Sequence, residues 1–255
     1  METNQPLQRQ EQILRLLARQ GSITVAELIQ EFGVSGWTVR RDLARLQARQ
    51  AIVWRRGAIK LAGEAIATTT EPVAEHMSEK QRIARAAAAL IAADQRLALG
   101  AGTTTGLVAH ALRGRSALRV VTNGLNIALT LATEPGIKVT CTGGEVDDSY
   151  LTLVGPVAER ALRHHFFDLA VVGVSGITAA EGLTVASPLN AACLELMIEH
   201  AAATMVVADH SKFGRVAFAR LAALDVIDIL VTDVPPPADI AEACRAAGVQ
   251  CLVAG

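Results

Sequence analysis

The chain has 255 residues, 51% apolar and 19% charged, with a formal net charge of −1. That balance supports a well-buried core and excludes disorder. The charge is unevenly divided: residues 1–60 hold ten Lys/Arg against five Asp/Glu, and the remainder fourteen against twenty, giving +5 and −6.

A basic segment on an acidic body points to a polyanion-binding module joined to a domain with another task. Met1-Glu2-Thr3-Asn4-Gln5 has no basic stretch leading into an apolar one, and no run of eighteen uncharged apolar residues occurs. Neither a signal peptide nor a membrane span is expected, and the reading is cytoplasmic.

Leu7 to Gln20 is helical by pattern, with Ile13, Leu14, Leu16 and Leu17 as its apolar stripe, and Gly21 stops it. Thr24 can cap a second helix through Phe32, with Glu27 completing a capping box. Gly33-Val34 then turns the chain and Ser35 caps a third helix over residues 35–46. Helix, glycine turn, helix is the helix-turn-helix pattern. Residues 51–60 read as two short strands around a basic turn, a wing.

The third helix has two faces. Val39, Leu43 and Leu46 fall on one side at i, i+4, i+7, whereas Trp37, Arg41 and Ala44 lie opposite, with Arg40 at the edge. An outward tryptophan and arginine call for a partner other than water, and the local chemistry suggests double-stranded DNA. The second helix of such a pair enters the major groove. There Arg40 and Arg41 can grip a guanine bidentately or clamp phosphates, Ser35 and Thr38 can donate to phosphate or base, and Trp37 can cover a thymine methyl. Arg45, with Arg55, Arg56 and Lys60 on the wing, completes the expected DNA-binding set and adds salt-sensitive phosphate contacts. A solvated face is the bland alternative for adjacent arginines, and Asp42 is expected to pair with an arginine rather than touch DNA.

Residues 62–76 lack period and read as a linker between a module at 1–61 and a domain at 77–255. Ser78-Glu79-Lys80-Gln81 looks like a capping box opening a helix to about residue 92. Apolar runs at 96–100, 118–122, 137–142, 168–173, 204–209 and 226–231 alternate with helical stretches, notably 103–112, 124–133, 156–165 and 188–202. Such alternation predicts a parallel α/β sheet covered on both faces.

Five strand ends carry small polar residues: Gly100 to Thr105, Thr122-Asn123-Gly124, Thr142-Gly143-Gly144, Gly173 to Gly176, and Ala208 to Gly214. Ligands bind at such ends in open α/β sheets. Gly102 with Thr103, Thr104 and Thr105 at a helix start suits an anion. With Thr122, Asn123, Gly143, Gly144 and Ser175, and Lys212 as a point charge, these residues form the expected pocket for a small phosphorylated effector.

The alternative is a sugar-phosphate isomerase with an appended helical domain. Isomerisation needs a base near the reacting carbon, usually a carboxylate, and the end at 173–176 offers only Gly-Val-Ser-Gly. Asp209 is expected to brace its loop, Glu195 lies within a helix, and the six histidines have no triad-like company. Neither catalysis nor a cofactor is expected. Cys141, Cys193, Cys244 and Cys251 show no Cys-x-x-Cys spacing and are read as buried reduced thiols, not metal ligands.

Six pieces occur in order: Thr38-Val39-Arg40-Arg41-Asp42-Leu43, Glu79-Lys80-Gln81-Arg82-Ile83-Ala84, Gly102-Thr103-Thr104-Thr105, Val121-Thr122-Asn123, Gly143-Gly144, and Asp209-His210-Ser211-Lys212-Phe213-Gly214-Arg215. Together they make the chain resemble the DeoR family of bacterial transcriptional repressors. The resemblance implies a winged helix-turn-helix fused to an α/β sensor domain similar to ribose-5-phosphate isomerase. There the phosphate is held by the Gly-Thr-Thr-Thr loop and a lysine from the preceding helix, here Gly102 to Thr105 and Lys80. It also implies a homodimer or homotetramer on operator DNA, controlling carbohydrate or glycerol-phosphate catabolism and released by a phosphorylated metabolite. The isomerase's Asp-Gly-Ala-Asp is matched by Gly173-Val174-Ser175-Gly176, as in a sensor descended from an enzyme.

Four departures stand out. Gly100 replaces a usual aspartate, Arg55-Arg56-Gly57-Ala58 replaces His-Gly-Gly-Ala on the wing, Trp37 replaces a polar residue, and Leu194-Glu195-Leu196 stands where a Lys-Arg pair is common. They bear on the effector's hydroxyls, the wing contacts, the operator sequence and the effector's identity.

Overall fold

A computed structural model describes residues 5–21, 23–49, 51–55, 58–61, 76–147 and 151–255. It divides into two compact units, Met1–Thr68 and Thr69–Gly255. Of the expected linker, 62–75 lie outside the described residues, as does the wing-turn pair Arg56 and Gly57.

The first unit runs α1 (Gln5–Gln20), β1 (Ile23–Thr24), α2 (Val25–Phe32), α3 (Gly36–Ala48), β2 (Ile52–Arg55) and β3 (Ala58–Leu61). The capping box forms as expected: Thr24 Oγ1 accepts from the Glu27 amide at 3.3 Å, and Glu27 Oε2 accepts from the Thr24 amide at 2.7 Å. Gly33 closes α2 at φ 60°, the left-handed conformation that lets the chain turn into α3. Ser35 Oγ accepts from the Thr38 amide at 3.2 Å and starts α3. Ile13, Leu17, Leu28, Val39, Leu43, Leu46, Ile52 and Ile59 form one core, so three helices and the β2–β3 hairpin fold around the same apolar residues. This is the expected winged helix-turn-helix. The pairing of β1 with β3, Ile23 opposite Ile59, was not expected, because two residues are too few to show a period.

The second unit opens with α4 (Met77–Leu90), β4 (Arg96–Leu99), α5 (Thr103–Ala111), β5 (Leu118–Thr122), α6 (Leu125–Ala132) and β6 (Ile137–Cys141). It continues through β7 (Glu145–Asp147), β8 (Thr152–Val154), α7 (Pro156–Arg163), β9 (Leu169–Gly173), β10 (Gly176–Thr178), β11 (Gly182–Val185) and α8 (Pro188–Glu199). β12 (Thr204–Val207), β13 (Ala219–Ala222), β14 (Ile229–Thr232), α9 (Ala238–Ala246) and β15 (Gln250–Val253) complete it.

Seven strands make the main sheet in the order β15-β14-β12-β9-β4-β5-β6, every pairing parallel. Alternation sends Leu97, Leu99, Val171, Met205 and Val207 to one face, where they meet Ile83, Val108 and Ile127 of α4, α5 and α6. Ala98, Ala170, Val172 and Val206 face the other side, against Leu162, Leu194, Met197 and Ile240 of α7, α8 and α9. From β4 the chain builds outward through β5 and β6, then returns to β9 and builds the opposite way. The β4–β9 boundary is therefore a topological switch point, where a crevice opens at the strands' carboxyl ends.

Three expectations need correction. The Ser78 capping box does not form: α4 starts at Met77 behind a left-handed His76 (φ 58°) with no side-chain cap, and Ser78 Oγ donates to Glu79 Oε2 instead. Only Cys193 and Cys244 are buried; Cys141 and Cys251 are exposed because β6 and β15 are the sheet's two edges. The run at 226–231 starts late, since Leu224–Val226 is a single 3-10 turn and β14 begins at Ile229.

Candidate functional site

On α3 the two faces separate as the spacing predicts. Val39, Leu43 and Leu46 are buried, whereas Trp37, Arg40, Arg41, Ala44 and Arg45 are exposed. Asp42 belongs to neither set. It is fully buried, taking hydrogen bonds from Arg9 Nε at 2.6 Å and Gln10 Nε2 at 3.2 Å. It thus ties α3 to α1 and leaves the outer face cationic, with the Arg41 guanidinium 4.7 Å from the Trp37 ring centre. Ser35 and Thr38 hydrogen-bond each other at 2.9 Å, so much of their capacity is used in starting the helix. β2 and β3 place Arg55 and Lys60 on the wing, opposite Ala58 and Val53 respectively.

In the α/β unit, the five polar strand ends belong to β12, β9, β4, β5 and β6, five neighbours in the sheet. Not all of their residues are equally placed for a ligand. Thr122 Oγ1 donates to Leu99 O at 2.6 Å and accepts from the Gly124 amide. Asn123 Oδ1 accepts from the Ala101 amide at 2.9 Å, and its Nδ2 donates to Leu153 O and Asn190 Oδ1. These two side chains fix the loop that leads into α5. Gly144, at φ 118°, is needed for close approach, since a Cβ there would lie 2.5 Å from Val154 O. Gly143 shares that turn, and Ser175 is half-buried with its amide bonded to Thr184 O.

The remaining expected residues lie around the switch point. Gly102 opens α5 with no side-chain cap, leaving the first-turn N–H groups directed out of the helix end. Thr104 and Thr105 are buried there, and Thr105 Oγ1 has no hydrogen-bond partner among the described residues. The Thr105 methyl sits over β9, 3.7 Å from where a Cβ on Gly173 would stand. Gly173 pairs with Val207, two residues before Asp209. Lys80 comes down from α4, 5% exposed, with Nζ 4.0 Å from Asp209 Oδ2.

Asp209 does brace its loop as expected: Oδ1 accepts from the Ser211 amide at 3.0 Å and from its hydroxyl. The second oxygen was missed. Oδ2 is buried, beside Lys80, with no hydrogen bond among the described residues. The signal was present, because Met205, Val207 and Asp209 alternate onto the face that α4 covers.

Next to it, Asp233 accepts from the His210 amide at 2.7 Å and from ring Nδ1 at 2.6 Å. The bond to Asp233 raises the His210 pKa; burial pushes the Asp233 carboxyl up, but the His210 bonds outweigh it and hold it below its ordinary value. The His76 ring meets that of His210 edge-on at 4.5 Å. Lys212 ends the following 3-10 turn, half-buried.

Two of the departures noted above are one packing event. A Cβ on Gly100 would lie 2.5 Å from Leu194 Cδ2, so the leucine on α8 occupies the space of a side chain at position 100. An aspartate at 100 and a leucine at 194 cannot both fit without movement. The wall toward α8 is apolar as a result.

The chain matches two family profiles, a DeoR-like helix-turn-helix domain over residues 9–64 and a DeoR C terminal sensor domain over residues 75–234. It is 33% identical over 234 residues to the glycerol-3-phosphate regulon repressor of Escherichia coli (strain K12), covering 91% of this chain and 93% of that protein. The HTH-type transcriptional repressor GlcR of Bacillus subtilis (strain 168) is 32% identical over 248 residues, covering 94% and 93%. Among solved structures, a ribose 5-phosphate isomerase A from Methanocaldococcus jannaschii aligns with a TM-score of 0.41 at 15% identity over 55% of each chain.

Proposed function

We propose, since the chain belongs to the DeoR family, that it is a DNA-binding transcriptional repressor released from its operator by a small hydroxylated phosphate ester. Its similarity to named repressors over more than nine-tenths of its length sets the isomerase alternative aside. The working parts are the module at 1–61 and the effector domain at 77–255.

One observation carries the effector class: around a sheet switch point two buried oxygens, Thr105 Oγ1 and Asp209 Oδ2, lack hydrogen-bond partners among the described residues, the second of them 4.0 Å from the buried Lys80. The N–H groups of α5, the Thr105 hydroxyl and Lys80 suit the phosphate. Asp209 Oδ2 accepts from an ester's hydroxyl, and the apolar wall at Leu194 favours a short or deoxy carbon chain on that side. A polyol phosphate or sugar phosphate has this chemistry. Gly143, Gly144, Ser175 and Lys212 border the ligand, while Thr122 and Asn123 shape the loop. The regulated genes are those of carbohydrate or glycerol-phosphate catabolism, and the protein works in the cytoplasm with its DNA.

A homodimer or homotetramer places two α3 helices in successive major grooves, about 34 Å apart. Release requires the ester to bind the DNA-incompetent state more tightly, by about 1–3 kcal/mol for typical coupling.

The DNA contacts are tested by two substitutions. Arg41→Ala is expected to cost about 1–3 kcal/mol on the operator and to relax the preference at one base pair. Lys60→Ala weakens binding to all duplexes alike and lowers the slope of log affinity against log salt by about 1. Parental affinity in both variants at moderate salt means this docking is wrong.

A further inference from the structure

We propose that Trp37 is a positioning residue for sequence readout, its indole face holding the Arg41 guanidinium in the pose that reads one guanine in each half-site. This rests on the DNA-binding function proposed above. Trp37 and Arg41 are one helical turn apart on α3, and Arg41 Cζ stands 4.7 Å from the indole centre. At i, i+4 spacing the side chains meet on the surface of the helix without help from any other element.

Trp37 is 68% exposed, so the ring is not placed there to fill the core. Stacking uses the π face of the guanidinium and leaves its in-plane N–H groups directed outward, the edge that matches O6 and N7 of guanine. A free arginine gives up rotamer freedom when it docks, whereas a stacked one has already given up part of it.

The neighbouring groups do not compete for Arg41. Among the described residues it forms no ion pair, and the adjacent carboxylate of Asp42 lies on the buried face, bound by Arg9 and Gln10. Ser35 and Thr38 are bonded to each other at the helix start. Arg40 lies back over the first turn, its Nη1 3.5 Å from where a Cβ on Gly36 would stand. Arg41, alone of these, both stands over the indole and is exposed.

The test is site selection by the full chain from a randomised duplex library, for the parent protein and for Trp37→Ala, Trp37→Phe and Arg41→Ala. Affinities then follow for the best duplex, its single-base variants and an unrelated duplex. The parent is expected to enrich a guanine in each half-site that Arg41→Ala no longer enriches. Trp37→Ala should lose about fivefold discrimination at that same base pair. It should leave the unrelated duplex and the thermal melting of the protein unchanged, and Trp37→Phe should keep most of the preference.

Full guanine preference in Trp37→Ala overturns the proposal, and so does a loss spread equally over all duplexes. Loss at a thymine that Arg41→Ala leaves intact also overturns it, because the indole would then read a methyl group directly. A parent protein that enriches no sequence overturns the DNA-reading function itself, a result distinct from the others.

Discussion

Replacing Lys80 by methionine should abolish effector-driven release of DNA and destabilise the α/β unit by about 3–5 kcal/mol, the range for breaking a buried ion pair from one side. The stability loss arises from Asp209. Its carboxylate is fully buried, and without Lys80 its Oδ2 has neither an ion-pair partner within 4 Å nor a hydrogen-bond donor among the described residues. The functional loss has a different cause, since the proposed phosphate site loses its buried lysine. The double variant Lys80→Met/Asp209→Asn separates the two. It should recover most of the stability, as a buried pair replaced on both sides is often nearly neutral, yet remain unresponsive to effector. Chemical denaturation followed by far-UV circular dichroism, with DNA binding measured in parallel, gives both quantities. A Lys80→Met protein that still releases DNA normally would remove the lysine from the phosphate site.

The second large effect is expected at Asp42. Asp42→Ala removes the acceptor that Arg9 and Gln10 share, leaving a largely covered guanidinium and amide between α1 and α3. About 3–5 kcal/mol should be lost, a large part of the 5–15 kcal/mol that holds a typical domain together. Both tryptophans of the chain, Trp37 and Trp54, lie in the N-terminal unit, so their emission reports on that unit alone. Asp42→Ala should shift the tryptophan-detected denaturation midpoint, and Asp42→Asn, which keeps an acceptor oxygen, should shift it less. A loss below about 1 kcal/mol would mean that the pair is solvated and contributes as a surface salt bridge does.

What could be read from the sequence depended on the range of the interaction. The Thr24–Glu27 box, the Gly33 turn and the Ser35 cap are settled within four residues, and each forms as its spacing predicts. Strands β4, β5, β9 and β12 were legible because both faces of the parallel sheet are largely buried there, which makes short apolar runs. Their polar ends followed from the same runs.

The partners of the key side chains were not legible. Arg9 and Asp42 are 33 residues apart, His210 and Asp233 23 apart, and Lys80 meets Asp209 only through the packing of α4 on β12. The small β10-β11-β13 sheet and the β7–β8 hairpin are built from strands of three or four residues, too short to show a period. His76 shows a limit of local signals. The Ser78 motif has the composition of a cap, but the chain enters α4 two residues earlier through a left-handed turn. Leu194 could be seen in the sequence as a departure, but its steric conflict with a side chain at position 100 is a fact of packing between α8 and β4.

The coupling between the two units is tested most directly by the affinity of the full chain for its selected duplex at fixed salt. The titrants are glycerol 3-phosphate and a panel of sugar phosphates, each beside its unphosphorylated counterpart. At least one ester should lower the affinity by about 5- to 150-fold, while the matching polyol or sugar leaves it unchanged. Undiminished affinity with every ester, or equal release by the unphosphorylated compounds, would contradict a phosphate-gated repressor.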